Sequence, residues 1–246
     1  MNISTDISLK QYTTMQVGGS ARFLAEATTA EEIPQIYHDA QSRQSPVFVL
    51  GGGSNVIAKD EGFEGVVLLN RIKGFEVVSE DEQSVTLKIG AGEVWDEVVA
   101  RTVDMGLSGI EAMSAIPGTA GAAPVQNVGA YGQEIADTLV SLEAYDRQQE
   151  RFVVLSAADC EFSYRHSIFR GREMGRYIIT SITLRLRKGL PQPPFYQAVQ
   201  DYLTSHTIAE PTPQDIRQAV MTIRANKLPD PAKLPNTGSF FKNAII

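Results

Sequence analysis

The sequence predicts an α+β fold, and three observations predict it. Strand-length runs, some continuously apolar and some alternating, are not each followed by a stretch of helical spacing; a long glycine- and alanine-rich tract interrupts the middle of the chain; and the last amphipathic run stands alone before a short tail. A doubly wound parallel sheet would need strand and helix to alternate throughout.

Taken in order, residues 28–44 predict a helix, because Ile33, Ile36, Tyr37 and Ala40 fall on one helical face. Thr29 and Glu32 have the spacing of a capping box, although Pro34 blurs the start. Residues 46–50 are a short apolar run closed by three glycines and predict a buried strand feeding a tight turn. The run VVLLN after Gly65 predicts another strand, and Val85, Leu87 and Ile89, alternating with Thr86 and Lys88, a half-buried one. Mixed sheet accounts for these runs most simply. A second helix is expected over residues 92–104, with Trp95, Val98, Val99 and Thr102 on one face and Gly106 as its left-handed stop. Residues 107–132 have neither periodicity, and so long an irregular stretch inside a domain is usually functional. Ile178, Ser181, Leu184 and Leu186 then sit among Thr183, Arg185 and Arg187 in a long strand. A third helix opens at Thr212, with Pro213 in its first position and Ile216, Val220 and Ile223 facing inward. No internal repeat is present.

The chain has 246 residues, 43% of them hydrophobic and 21% charged, enough for one large domain or two smaller ones with a real core. A formal charge of -7 speaks against a general nucleic-acid binder, which needs a basic face, while a few local cations suffice for a small phosphorylated ligand. Cys160 is the only cysteine, so no intramolecular disulfide and no cysteine-based zinc cage can form, which suits a reducing cytoplasm. The first residues lack a basic region followed by an apolar run, and nothing approaches the ~20 apolar residues of a membrane span. A soluble, unprocessed cytoplasmic protein is expected, with no metal and neither membrane nor nucleic acid as a partner.

Four stretches can carry chemistry. Gly51, Gly52, Gly53, Ser54 and Asn55 follow a strand directly; their backbone can approach an oxyanion closely, and Ser54 and Asn55 add donors. An ordinary tight turn fits them as well. They are not a Walker loop, since no Gly-Lys-Ser/Thr follows, and Val56 stands where the Rossmann spacing would need a third glycine. Residues 116–132 contain Ile116, Pro117, Gly118, Thr119, Gly121, Ala122, Gln126, Asn127, Gly129 and Tyr131. Such small residues let a flat ring lie against the backbone, while the Gln126 and Asn127 amides can bond its polar edge; a tightly packed crossover loop is the plainer alternative. In FSYRHSIF, Arg165 beside Tyr164 can be held partly desolvated, which strengthens a bidentate grip on a carboxylate. In GSFFKN, Ser239 could deliver a proton. Taken singly, these last two stretches read equally as structural.

In this order GGGSN, IPGTAGAAPVQNVGAYG, YRHSIF, KLPDP and GSFFKN resemble the UDP-N-acetylenolpyruvoylglucosamine reductases, also called UDP-N-acetylmuramate dehydrogenases, from about residue 12 to residue 243. The resemblance implies an FAD-binding fold of PCMH or vanillyl-alcohol-oxidase type, with subdomains over residues 1–70 and 71–227 and the beginning of a substrate-binding domain at 228–246. It implies non-covalent FAD, leaving His38, His166 and His206 as ordinary residues. Gly51 to Asn55 would hold the pyrophosphate, and the named residues of 116–132, with Ile178, would line the flavin. In the family reaction NADPH reduces FAD, and hydride then passes to C3 of UDP-N-acetylglucosamine enolpyruvate to give UDP-N-acetylmuramate for the bacterial cell wall. Arg165 matches the arginine that stabilises the enolate, and Ser239 the donor of the proton at C2. Tyr196, Lys227 and Asn243 match residues around the substrate diphosphate, Tyr164 and Arg224 join them as substrate-binding candidates, and Tyr196 suggests the subgroup that closes a tyrosine-bearing loop over substrate. A monomer is expected.

Family members continue well beyond the motif matched by residues 238–243 and carry a late catalytic glutamate there. No residue up to Ile246 matches it, and neither Glu173 nor Glu210 takes its place. Two expectations follow: an enzyme whose remaining residues come from a longer chain or from elsewhere, or a flavin-binding module without turnover. A different oxidase on the same scaffold is a third, against which GSFFKN speaks.

Overall fold

A computed structural model describes residues 3–238 and shows two sheets with a helical pair beside the second. The first sheet contains β1 (Ile3–Ser8), β2 (Ser20–Ala27), β3 (Val47–Leu50) and β4 (Phe63–Asn70), and α1 (Glu32–Ser42) connects β2 to β3. Its order is β1-β2-β4-β3, with β1 antiparallel to β2 and the other pairs parallel, so the sheet is mixed as the sequence predicts. The predicted stripe of α1 forms: Ile33, Ile36 and Ala40 are buried with Ala25, Ala27, Val66 and Leu68. Half of the predicted cap forms too, since the Glu32 carboxylate accepts from the Thr28 and Thr29 N–H groups at 2.7 and 3.2 Å, while the helix start has no side-chain cap of its own. Residues 47–50 correct the expectation of a buried strand. They pair only with β4, at the edge of the sheet, and Phe48 remains 40% exposed because one of its faces borders a cleft.

The second sheet is antiparallel. It contains β5 (Phe75–Glu80), β6 (Ser84–Gly90), β7 (Leu107–Ser108), β10 (Leu139–Asp146), β11 (Arg151–Ser156) and β12 (Tyr177–Lys188), in the order β11-β10-β12-β6-β5 with β7 on the end of β12. Between β7 and β10, β8 (Gly129–Ala130) and β9 (Gln133–Glu134) make a short hairpin. One face of this sheet is covered by α2 (Trp95–Asp104) and the small-residue tract that follows it. Trp95, Val98, Val99 and Val103 bury themselves among Leu87, Ile89, Ile182 and Leu184, and burying each such side chain contributes about 1.5–3 kcal/mol.

The helical pair is α3 (Gln197–Ser205) and α4 (Pro213–Lys227), and Val199, Leu203, Ile216 and Val220 close a small core over Ala112. α4 begins as predicted, with Pro213 in the first turn. Thr212 Oγ1 accepts from the Asp215 N–H at 3.2 Å and Asp215 returns the bond at 2.8 Å. The chain passes from one sheet to the other at residues 71–74. There the Asn70 side chain donates to the Ile179 carbonyl at 2.7 Å, while Tyr145 and Ile178 of the second sheet enter the core beneath α1.

Candidate active site

Two joined clefts of about 380 and 290 Å³ lie between the sheets and share Phe48, Val49, Gly51, Thr119, Ala122 and Val125. The smaller one is where the glycine turn meets the tract after α2. A Cβ on Gly52 would sit 2.9 Å from the Gly118 Cα, and one on Gly53, whose φ is +65°, would collide with the Tyr12 carbonyl. Ser54 Oγ adds a hydrogen bond to the Pro117 carbonyl at 3.1 Å. The tract is held in turn by the approach to α2. Trp95 N donates to the Gly118 carbonyl at 3.0 Å, the Trp95 indole to the Met113 carbonyl at 3.2 Å, and Gly121 N to the Ala91 carbonyl at 2.9 Å. The two loops thus meet through backbone and small residues along one side of the smaller cleft, whose lining also includes Phe48, Leu50, Trp95 and Ile116.

Beyond Val128 the tract turns away from the cleft and carries the hairpin of β8 and β9. Arg165 stands on its near side. Tyr164 and Arg165 form the tip of a turn closed by the Ser163 and His166 backbone groups, with Arg165 at φ +52°. Its guanidinium donates to the Asn127 carbonyl at 3.4 Å and the Gly129 carbonyl at 2.6 Å and lies 5.5 Å from the centroid of the Tyr164 ring. On the far side, Tyr131 meets Tyr196 edge to face at 5.5 Å, with the half-buried Arg224 guanidinium close enough for its charge to act on the phenol. Burial pushes the Tyr131 phenol above its ordinary value despite that cation, and burial draws Arg224 below its own. Ala115, Asn127, Tyr131 and Arg165 all have positive φ without being glycine. Each costs on the order of 1–3 kcal/mol, as do six further such positions elsewhere among the described residues.

A carboxylate ties α4 to this region. Asp96, in the first turn of α2, receives both Arg217 nitrogens at 2.6 and 3.0 Å and the Ala115 N–H at 2.5 Å. Burial alone would raise its pKa. The Arg217 hydrogen bonds, the Ala115 N–H and the charges of Arg217 and Arg224 together outweigh that and hold it below the usual carboxylate range.

Most of the sequence candidates therefore come together. Gly51, Gly52, Gly53, Ser54, Asn55, Ile116, Pro117, Gly118, Thr119, Ala122 and Gln126 line the smaller cleft, and Gly121 the larger. Arg165, Tyr131, Tyr196 and Arg224 gather around the loop after it, and Lys227 is exposed at the end of α4. Ser239 and Asn243 lie outside the described residues. Four expectations need correction. Gly129 and Tyr131 line neither cleft: the Gly129 carbonyl is taken by Arg165, and Tyr131 packs on Tyr196 beyond the cleft floor. Ile178 does not face the cleft: alternation along β12 turns it into the core under α1, and its neighbour Ile179 lines the cleft instead. The Asn127 amide is spent within the protein, donating to Glu134 at 2.6 Å and the Ser163 carbonyl at 3.1 Å and accepting from Ala136 N at 3.2 Å, so it shapes the loop rather than offering an edge to a ligand. Gln126 is held more loosely, by Arg170 at 2.9 Å. Sequence reasoning missed the wall of the larger cleft, made by Phe169, Tyr177 and Ile179, and missed Asp96 with Arg217, which are 121 residues apart and give no local signal.

A cleft between a mixed and an antiparallel sheet, floored by a glycine turn and a backbone-lined loop, defines a flavoprotein fold of vanillyl-alcohol-oxidase type. Residues 21–155 match the FAD binding domain family, and a VAO-type flavoprotein from Myceliophthora thermophila shares the fold at a TM-score of 0.50, with 19% identity over 69% of this chain and 32% of its own. Within that class the chain belongs to the UDP-N-acetylenolpyruvoylglucosamine reductase family. The family's member from Ralstonia nicotianae is 45% identical over 97% of this chain and 70% of its own length. The solved reductase from Thermus caldophilus superposes at a TM-score of 0.65, with 27% identity over 99% of this chain and 76% of its own. Among the described residues no helix is long and apolar enough to cross a membrane.

Proposed function

We propose that this chain carries out the NADPH-dependent, FAD-mediated reduction of UDP-N-acetylglucosamine enolpyruvate to UDP-N-acetylmuramate in the cytoplasm, as a monomer. One observation carries the reading. The loop that leaves the cleft floor at Val128 is gripped by Arg165 on one side and, through Tyr131, meets Tyr196 and Arg224 on the other, so a cofactor space and an anion-binding face adjoin. The cleft suits FAD: the glycine turn presents its backbone to the smaller cleft, where a pyrophosphate could approach it closely, and the two joined volumes are of ligand-site size. Gly51 to Asn55 would hold the pyrophosphate, the loop from Ile116 to Val128 the ring system, and Phe169, Tyr177 and Ile179 the adenosine end. When bound, FAD supplies hydride transfer from NADPH to the substrate alkene.

The protein's own residues do the rest. Arg165 is fixed by two carbonyls, so its remaining N–H groups are already oriented for the substrate carboxylate and for the negative charge that develops there as the alkene is reduced. Ser239 would give the proton at C2. Tyr196, Arg224, Lys227 and Asn243 would receive the diphosphate, with Tyr164 at their edge. We take residues 1–70 and 71–227 as the two FAD subdomains and 228–246 as the opening of the substrate domain.

The test is direct: the purified chain should be yellow with bound FAD, and its NADPH oxidation should rise when UDP-N-acetylglucosamine enolpyruvate is added. Absence of flavin would refute the reading. Bound flavin with no response to substrate would leave a flavin-binding module without turnover.

A further inference from the structure

The crossover between the sheets carries a cation that no carboxylate among the described residues neutralises. Arg71 is the first residue after β4, and its backbone N donates to the Ala27 carbonyl at 2.8 Å, which fixes it at the inner end of the first sheet. Its side chain is half-buried. Nη1 donates to the Gly51 carbonyl at 3.2 Å; Gly51 is one of six residues that both clefts share, and Arg71 stands directly behind it, outside the lining of either. Among the described residues Arg71 forms no ion pair with any carboxylate and stacks on no aromatic ring, although Lys73, two residues on, is paired with Glu93 at 3.2 Å. The protein as a whole carries an excess of seven negative charges. A guanidinium that is partly withdrawn from water, keeps most of its donors unused among the described residues and sits on a glycine turn is well placed to receive an anion, since an opposite charge offsets the cost of partial burial.

We propose that Arg71 binds the pyrophosphate of the dinucleotide. One edge of its guanidinium holds the Gly51 carbonyl, which keeps the turn in shape, and the other edge neutralises the phosphate charge that the glycine backbone alone only solvates. This rests on the reading that FAD occupies the cleft. A guanidinium is suited to the task because its planar fork presents paired donors to phosphate oxygens. Two consequences separate this role from a purely structural one. The contribution applies to ligands that carry the pyrophosphate and not to riboflavin, and it is weakened by salt.

The experiment uses the flavin-free 246-residue chain, titrated with FAD and separately with riboflavin and followed by quenching of flavin fluorescence. Arg71→Gln should weaken FAD binding by roughly 10- to 100-fold, the range expected for a hydrogen bond to a charged group. Riboflavin binding should change by less than about twofold, and the salt dependence of FAD binding should flatten relative to the parent protein. Arg71→Lys keeps the charge but loses the fork, and should fall between the two. It also serves as the test should Arg71→Gln fold poorly. Equal losses for FAD and riboflavin would reduce Arg71 to a clamp on the turn and overturn the proposal, as would FAD affinity unchanged in either variant. If the parent protein bound no flavin at all, the cofactor reading itself would fall, a result that differs from both.

Discussion

Arg217→Met tests how α4 is coupled to α2 and the loop that precedes the cleft floor. The substitution keeps the stem of a side chain that is only 11% exposed and removes both hydrogen bonds to Asp96, whose own side chain is 33% exposed. Breaking a fully buried pair costs about 3–5 kcal/mol, and the partial exposure of Asp96 brings the expectation at neutral pH to about 2 kcal/mol. The sign of the pH dependence follows from the direction of the shift. In the parent protein Asp96 titrates below its unfolded value, so its ionised form contributes stability above that value, and the contribution is lost as pH falls through the folded pKa. In the variant, burial is opposed only by the Ala115 N–H and the charge of Arg224, so the folded pKa rises. The stability difference between the two proteins should therefore be largest near pH 7 and shrink as pH falls through the variant's pKa toward the parent's. Urea unfolding at several pH values, with and without FAD, measures it. A difference that stays constant with pH would mean that Arg217 contributes packing alone and that the ion pair is idle.

Three further outcomes are expected. Gly52→Ala should cost about 1–3 kcal/mol in stability or in FAD affinity, because the new methyl meets the Gly118 backbone rather than a flexible side chain; melting curves with and without FAD that match the parent's would refute the contact. Cys160, fully buried with its thiol pushed up to about 12 by desolvation and by Asp159, should resist thiol reagents at pH 8 until the protein is denatured, and rapid labelling of the native protein would contradict that. Tyr131→Phe should leave FAD affinity unchanged while weakening binding of UDP-N-acetylglucosamine by roughly 3- to 10-fold, since the hydroxyl beside Arg224 and Tyr196 is lost; calorimetry checks it, and a parallel loss of FAD would return Tyr131 to the cofactor site that the sequence assigned it.

What the sequence made legible was local. The stripes of α1, α2 and α4 and the Thr212–Pro213 start could be read because a helix writes its buried face at fixed spacing, and all three formed. β10 could not be read, since irregularities between Leu139 and Ser141 and between Glu143 and Ala144 break the alternation a strand should show. α3, nine residues long, leans on α4 for its burial. At the site, composition located both loops but not the direction of their side chains. Ile178 and Ile179 are equally apolar, and only the pairing of β12 with its neighbours decides which one borders the cleft. Asn127 has a ligand-like amide, and only the return of Glu134 beside it shows that the amide is already spent.

The same contacts bear on how the cleft meets its cofactor. Its width is set by backbone and by residues next to the crossover rather than by long side chains: Asn70 bonds the Ile179 carbonyl, Ala91 N bonds the Thr180 carbonyl, and Gly92 N bonds the Ile72 carbonyl, each at 2.7–2.9 Å. Because these bonds join β4, the crossover, β12 and the approach to α2, opening the cleft would mean breaking several buried hydrogen bonds together. The walls therefore lose little freedom when a ligand enters, and more of the interaction energy is retained as affinity. The hairpin of β8 and β9 differs: it is two residues per strand, and Tyr131 at its turn rests on the 53%-exposed Tyr196. Rigid cleft walls beside a two-residue hairpin place the capacity to move at the Tyr131–Tyr196 contact, the side on which the proposed substrate would enter.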